Sequence, residues 1–278
     1  MTSSLQATQP HETAYFRRTK PIEISEDVRT SFFVSTPHAQ GAWQEDELHM
    51  APVSGLVAAE LEAYQPRKDF ITTRISFDIL GKLHAGEVKV VTETVRPGRT
   101  IELIQSTVYA QGRAVLVGRT WKVIASDTSN VGKLHDPELP PLEQAEPWDE
   151  MSQRWPGGFI RSIQTRKFAE HAPGHGRVWI TTDIDVIEGE TPSPFVKLVG
   201  LADTANGVAP IAEPSTDNVF FANVDLTIHF LREPVGQWLG LATSANIGAT
   251  GGGITSAILY DADGILGRCE QSQTVRMG

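Results

Sequence analysis

A pattern that occurs twice constrains this 278-residue chain more than any other feature: a helix-like segment followed by a run of alternating strands. In the first copy, apolar residues recur at helical spacing over residues 52–64, and Pro52 stands where a first helical turn tolerates proline. Residues 70–80 then alternate between apolar and polar side chains, which is typical of a strand with one buried face. Further strands are predicted at 87–95, 100–110 and 114–124, separated by Pro97-Gly98 and Gln111-Gly112 turns.

The second half repeats this plan. Strands are predicted at 158–168 and 177–187, and Ser193-Pro194 is a cap and first-turn signal for a helix over 194–206. A second meander is predicted at 219–231, 238–247, 254–260 and 265–275, with turns at 251–253 and 263–264. Because a long helix beside an antiparallel sheet occurs twice, we expect each sheet to wrap its own helix. The two sheets could then join edge to edge.

The segment between the two copies is rich in Pro, Asp and Ser and has no hydrophobic period, so it is interpreted as a linker. The expected organisation is an N-terminal repeat at 1–124, a linker at 125–147, and a C-terminal repeat at 148–278 that carries the candidate site.

Charge and cysteine content exclude several functional classes. The chain has 24 Lys and Arg against 34 Asp and Glu, a formal net charge of −10, so a generic nucleic-acid clamp is excluded. A single cysteine, Cys269, excludes an internal disulfide framework and a cysteine-based zinc site. The first twenty residues contain no apolar stretch, and no run of eighteen apolar residues occurs. We therefore expect a cytoplasmic protein without a secretory signal or membrane span.

Asp203 is the first candidate for chemistry, because the predicted helix around it is apolar on nearly all faces. A buried carboxylate is costly unless it is paired or solvated. Two interpretations follow. Asp203 either caps or salt-bridges near the helix end, or it lies in an apolar cleft with a raised pKa suited to a general base.

Polar residues in two strands of the second meander are the next candidates. In the strand at 219–231, Asn223 and Asp225 alternate with apolar residues, a pattern whose ordinary meaning is a solvated face. The last strand places Cys269, Gln271 and Gln273 on one face, and glutamines in such positions are usually exposed.

Other chemical signals are weaker. The Gly-x-Ser-x-Gly motif of serine hydrolases does not occur. A lone cysteine in a strand, such as Cys269, usually has a structural role in the core. His171 and His175 have a metal-like spacing, but the Pro and Gly between them favour a loop. Asp225 and His229 are one residue closer than an Asp-x-x-x-x-His pair, which disfavours dehydration chemistry.

Three passages, in order, resemble the acyl-CoA thioesterase II family: LADTANGVAP, FANVDLTIHFLREP and DGILGRCEQSQTVR. The passage FDILGKLHAGEVKVVTETVRPGRTIELIQSTVYAQGRAV is similar to a first hotdog repeat. The resemblance covers nearly the whole chain and implies an α+β double hotdog, in which two fused repeats each wrap an antiparallel sheet around a long central helix.

The resemblance also implies a catalytic set, because members of the family activate a water with an aspartate, a threonine and a glutamine. Asp203 would be the base or water-orienting carboxylate, and Gln271 would hold and polarise the water. The threonine position falls on Asn223, which can position a water but cannot relay a proton through a hydroxyl. The match at Gln271 needs a one-residue gap, so Gln273 is the alternative.

The implied activity is hydrolysis of fatty acyl-CoA to a free acid and coenzyme A, without a cofactor, in a homo-oligomer. A backbone N–H at a central-helix N-terminus is a natural donor to the developing oxyanion. Two alternatives stay open: a non-catalytic acyl-thioester-binding protein on the same scaffold, and a thioesterase acting on another carrier such as acyl carrier protein. Glu60 and Glu62 could be the remnant of a second site.

Overall fold

The computed structural model describes residues 13–278, so most of the segment that bears on the secretory-signal expectation lies outside the described residues. The strands are β1 Ala14–Arg18, β2 Glu23–Ser25, β3 Val28–Ser35, β4 Phe70–Ile79, β5 Glu87–Arg96, β6 Ile101–Ala110, β7 Arg113–Ile124, β8 Glu146–Pro147, β9 Ile163–Lys167, β10 His175–Thr182, β11 Asp185–Ile187, β12 Val219–Asn223, β13 Asp225–Phe230, β14 Leu239–Ile247, β15 Gly252–Asp261 and β16 Gly264–Met277. The helices are α1 Met50–Ala63, α2 Glu150–Arg154, α3 Gly158–Ser162, α4 Pro194–Ala202, α5 Ala205–Val208 and α6 Pro214–Asp217, with 3-10 turns at Pro37–Ala39 and Leu142–Gln144.

The strands form one sheet in the order β11-β1-β3-β5-β6-β7-β4-β13-β16-β15-β14-β10-β9-β8, with β2 attached to β3 and β12 to β16. The two meanders meet where β4 pairs antiparallel with β13, with Ile75 opposite Ile228. In each meander the strands alternate inward apolar and outward polar residues, as a sheet with one covered face requires. Within residues 13–278 no helix is long and apolar enough to cross a membrane.

The two main helices, α1 with 14 residues and α4 with nine, pack against each other. Glycines allow them to approach closely: a Cβ on Gly55 would lie 3.3 Å from the Cα of Gly200. Ser54 Oγ donates a hydrogen bond of 3.2 Å to the main-chain oxygen of Val199 across the contact. Most residues of α1 and of α4 are buried, because apolar residues cover almost every face of both helices.

Two predicted elements differ in the structure. The helix predicted over 194–206 ends at Ala202, with Asp203 as its C-cap. The predicted strand at 158–168 begins instead with α3, and only Ile163–Lys167 is a strand. The reason is a close docking: Gly157 has a positive φ, and a Cβ on Gly158 would lie 1.8 Å from the main-chain oxygen of Pro37. The strands β1 to β3, for which residues 14–35 carried no prediction, complete the first half of the sheet.

The predicted strand at 219–231 is interrupted at Val224, which lies between β12 and β13. Asn223 pairs with Gln273 and Thr227 pairs with Glu270, so the register with β16 shifts by one residue across the interruption. Val224 is consequently exposed, and Asn223 lies on the side of buried Phe221, whereas simple alternation predicted a solvated side for Asn223.

We expect that Gly200→Val destabilises the fold by about 1–3 kcal/mol, because overpacking at a tight helix contact forces backbone shifts. The matched control is Gly252→Val, since Gly252 is exposed on a strand and a Cβ there meets nothing within 4 Å. Urea unfolding of both variants measures the difference. Equal midpoints for the two variants would contradict the assignment of this contact as a packing constraint.

Candidate active site

Asp203 lies where α4 ends, and its side chain is only 5% exposed. The chain leaves the helix here because Thr204 turns back, with its Oγ1 donating 2.6 Å to the main-chain oxygen of Leu201, before α5 begins at Ala205. The carboxylate therefore lies at the corner between two helices, shielded from solvent.

The structure brings Asp203, Asn223 and Gln271 together. Asn223 Nδ2 donates 2.8 Å to Asp203 Oδ1, and Gln271 Nε2 donates 3.0 Å to the same oxygen and 3.2 Å to the main-chain oxygen of Asp203. No described residue donates a hydrogen bond to Asp203 Oδ2. The opposite ends of the two amides, Asn223 Oδ1 and Gln271 Oε1, are buried acceptors without a protein partner among residues 13–278. Buried acceptors of this kind call for a donor such as water.

Gln273, the alternative to Gln271, is directed elsewhere. Its Nε2 donates to Asn206 Oδ1 and, at 3.3 Å, to Thr255 Oγ1. Cys269, Gln271 and Gln273 do share one face of β16, as predicted, but that face is buried rather than solvated. Only Gln271 of the two glutamines hydrogen-bonds to Asp203.

The electrostatic setting of Asp203 favours a proton acceptor at neutral pH. Burial raises the pKa of Asp203 from 3.8 to about 6, and the hydrogen bonds from Asn223 and Gln271 oppose that rise. Burial also raises the pKa of the neighbouring Cys269 thiol, which is fully enclosed. Cys269 is therefore a buried thiol, whereas the Asp203 carboxyl group titrates close to neutral pH.

His49 is a residue at this site that the sequence analysis missed. It is the N-cap of α1, and its Nδ1 lies 3.4 Å from Asp203 Oδ2. Burial lowers the pKa of His49 from 6.5 to about 3, so the imidazole is neutral. The only signal in the sequence was its place just before the helix predicted at 52–64, where histidine is not a usual cap.

A pocket of about 110 Å³ opens beside these side chains, between the start of α1 and the end of α4. Its polar lining comes from Asp203, Asn223, His49, Glu47, Thr204 and Asn206. The rest of the lining is largely apolar or aromatic and includes Trp43, Leu48, Met50, Ile79, Leu83, Met151, Trp155 and Ile160. The pocket thus combines a buried carboxylate with a slot that suits a hydrocarbon group.

The other candidates do not form comparable sites. The ring of His171 packs at a tilt against Trp148, with the centroids 4.6 Å apart, and His175 is exposed at the start of β10. No cluster of three metal-ligating side chains occurs among residues 13–278. Glu60 is buried, forms ion pairs with Arg18 and Arg29, and accepts a hydrogen bond from Ser31. It is part of an ion-pair cluster and does not resemble Asp203 in its surroundings.

Solved structures with this arrangement of strands and helices have the hotdog fold. A protein of unknown function with a hotdog fold from Alicyclobacillus acidocaldarius superposes with a TM-score of 0.71 at 13% identity, covering 98% of this chain and 100% of that one. Acyl-CoA thioesterase II TesB2 from Mycobacterium marinum has a TM-score of 0.63 at 13% identity, with 93% and 96% covered. A mycobacterial tesB protein, from Mycobacterium avium subspecies paratuberculosis, gives 0.65 at 13% identity, with 92% and 95% covered. At these identities the likeness establishes the fold alone.

The family follows from the sequence. Residues 39–123 match the acyl-CoA thioesterase N-terminal domain, and residues 136–275 match the acyl-CoA thioesterase C-terminal domain. The chain therefore belongs to the acyl-CoA thioesterase family, a family of thioester hydrolases. No curated protein matches the chain significantly in sequence.

We expect Asp203→Asn to stabilise the fold at pH 8. The pKa of Asp203 is raised in the folded state, so the native protein holds this proton more tightly, and stability falls as pH rises from about 4 through 6. The rise in the pKa of Asp203 from 3.8 to about 6 corresponds to roughly 3 kcal/mol of unfolding free energy. Above pH 6 the Asp203→Asn variant should regain that stability. Urea unfolding at pH 4 and pH 8 measures it, with exposed Asp149→Asn as the control. A gain that is as large at pH 4 as at pH 8 would contradict this origin.

Proposed function

We propose that this protein hydrolyses fatty acyl-CoA thioesters to a free acid and coenzyme A, using a water activated by Asp203 with Asn223 and Gln271. The observation that carries the proposal is the shared carboxylate oxygen: both amides donate to Asp203 Oδ1 while their own buried acceptor atoms lack a protein partner. A water that donates to those acceptors would satisfy them, and the same water could lie within reach of the carboxylate. The family membership supplies the thioester as the substrate class.

The proton transfers of the proposed reaction involve only the water, Asp203 and the departing sulfur. Asp203 removes a proton from the water as its oxygen forms a bond to the thioester carbonyl carbon, and the carbonyl π electrons become the oxyanion of a tetrahedral intermediate. The oxyanion then re-forms the C=O bond, the C–S bond breaks, and the departing sulfur takes the proton from Asp203. Asn223 and Gln271 hold the water and the carboxylate throughout. Because Asn223 stands at the family's threonine, it orients by its amide alone.

The acyl group would occupy the apolar part of the pocket, against Leu83, Ile79 and Ile160. The aromatic side chains at its rim are fixed by mutual contacts: Trp43 lies 5.5 Å from Trp155 in an edge-to-face arrangement. Such a wall favours burial of hydrocarbon, since it is already ordered before the substrate arrives.

The proposal includes the organisation that the resemblance implies: a double hotdog with repeats at 1–124 and 148–278, joined by a linker at 125–147. The antiparallel pairing of β4 with β13 supports fusion of two repeats into one sheet. The linker contacts the second half, where the hydroxyl group of Tyr260 donates a hydrogen bond of 2.7 Å to the main-chain oxygen of Pro137. A homo-oligomer in the cytoplasm, without nucleic acid as a partner, completes the proposal.

Replacement of Asp203 by Asn should reduce hydrolysis at least about a hundredfold, because the base is lost while the shape is kept. The measurement is release of free thiol from a panel of acyl-CoAs, from short to long chains, with wild type, Asp203→Asn and the exposed control Asp149→Asn in parallel. Turnover that peaks at one chain length and collapses only in Asp203→Asn is the expected result.

Each other outcome points to a named alternative. Full activity in Asp203→Asn would overturn the role of Asp203. Acyl-CoA binding without turnover by the wild type would favour a non-catalytic binding protein. Faster turnover of the same acyl group on acyl carrier protein than on coenzyme A would favour a different carrier.

The pH dependence of kcat/KM should show one rising limb near pH 6, because Asp203 must be ionised to act as the base. Gln271→Leu removes a hydrogen bond that lowers the pKa of Asp203, so its limb should lie at higher pH. The matched variant Gln273→Leu should leave the limb in place. Of the other titratable groups nearby, His49 and Cys269 stay neutral from pH 5 to 9, and burial raises the pKa of Glu47. A limb that moves in Gln273→Leu and not in Gln271→Leu would exchange the roles of the two glutamines.

A further inference from the structure

The start of α1 lines the proposed reaction pocket, but its backbone offers few donors to an oxyanion. The Ala51 N–H is already engaged, because it donates 3.1 Å to His49 Nδ1. Pro52 has no N–H at all. No described residue accepts a hydrogen bond from the Met50 amide, which is the one early amide left for a ligand. The backbone at this helix N-terminus therefore offers only the Met50 amide as a donor to an oxyanion.

The same contact fixes the tautomer of His49. A ring nitrogen that accepts a hydrogen bond carries no proton, so in the neutral imidazole the proton is on Nε2. The extended backbone of His49 and its contact with Phe159, with the ring centroids 4.4 Å apart, hold the ring in place. Nε2 has no hydrogen-bond partner among residues 13–278 and is not enclosed by protein atoms, and His49 lines the pocket, so Nε2 is open to a ligand there.

The surroundings keep this ring neutral through the working pH range. Burial lowers the pKa of His49 to about 3, and nearby Asp203 does not reverse that, since its Oδ2 lies 3.4 Å from Nδ1 without a hydrogen bond between them. A neutral imidazole is a donor that does not give its proton away. At a helix N-terminus such a group can polarise a carbonyl without protonating it.

We propose that the Nε2–H of His49 donates a hydrogen bond to the thioester carbonyl oxygen and stabilises the oxyanion as water attacks. This rests on the proposed thioesterase function and adds a catalytic residue to it. The proton stays on Nε2 throughout: the hydrogen bond strengthens as charge develops on oxygen and weakens when the C–S bond breaks. Asp203 and His49 thus act on the two partners of the reaction, the water and the carbonyl.

Two substitutions separate this role from helix capping. In His49→Asn the side-chain oxygen can take the place of Nδ1, so the cap is kept and the donor at the Nε2 position is lost. In His49→Gln the amide nitrogen can reach the Nε2 position, so a donor is kept and the cap is weakened. Exposed His229→Asn is the control for loss of a histidine.

The experiment measures kcat and KM for acyl-CoA hydrolysis at pH 8, with unfolding midpoints for every variant. We expect His49→Asn to lower kcat about 10²- to 10³-fold, the usual effect of one oxyanion donor, with KM and the unfolding midpoint little changed. His49→Gln should keep more activity than His49→Asn although it unfolds earlier. An S-alkyl-CoA thioether, which lacks the carbonyl, should bind wild type and His49→Asn equally.

Wild-type kcat in His49→Asn would overturn the proposal and leave His49 as a cap only. A lower kcat in His49→Gln than in His49→Asn would likewise assign the defect to capping. If the wild type hydrolyses no thioester, the proposed function itself fails and this inference fails with it. If the wild type turns over and the His49 variants match it, only the inference fails.

Discussion

Burial of the Asp203 carboxylate is the interaction on which the rest of the site depends. Removing a charge from water costs several kcal/mol unless donors replace the solvent, and here two amides converge on one oxygen. Those amides come from β12 and β16, and the carboxylate comes from the end of α4. The arrangement therefore needs the helix and both strands to be held in register. The remaining cost appears as a raised pKa, which is the property that the proposed role as a base requires.

Close approach of α1 and α4 makes this arrangement possible. Gly55 and Gly200 let the helix backbones come together, so that the start of one helix and the end of the other border the same pocket. Each half of the chain contributes what the other lacks: His49 comes from the first half, and Asp203, Asn223 and Gln271 come from the second. Neither half contains a complete site by this account, and Glu60 in the first half is neutralised by arginines.

The strands of both meanders, α1 and the approximate place of α4 could be predicted because they depend on local periodicity. Asp203 could be selected from the same information, since a lone carboxylate in an apolar helix is conspicuous. The side on which Asn223 lies could not be predicted, because the register shift at Val224 reverses the alternation and is determined by pairing with β16. His49 was missed for a similar reason: its role as a cap depends on where α1 begins, and its proximity to Asp203 depends on a helix far away in sequence.

The sequence by itself determined the two-fold pattern of helix and meander, the family, and the residues able to act as base and amide partners. These depend on spacing, composition and short ordered motifs. Only the tertiary structure decided that Gln271 rather than Gln273 meets Asp203, that α3 replaces the start of a predicted strand, and that His49 lies beside the carboxylate. Each of these is a contact between segments distant along the chain. Periodicity carries no information about such contacts, because they are decided when the two halves pack together.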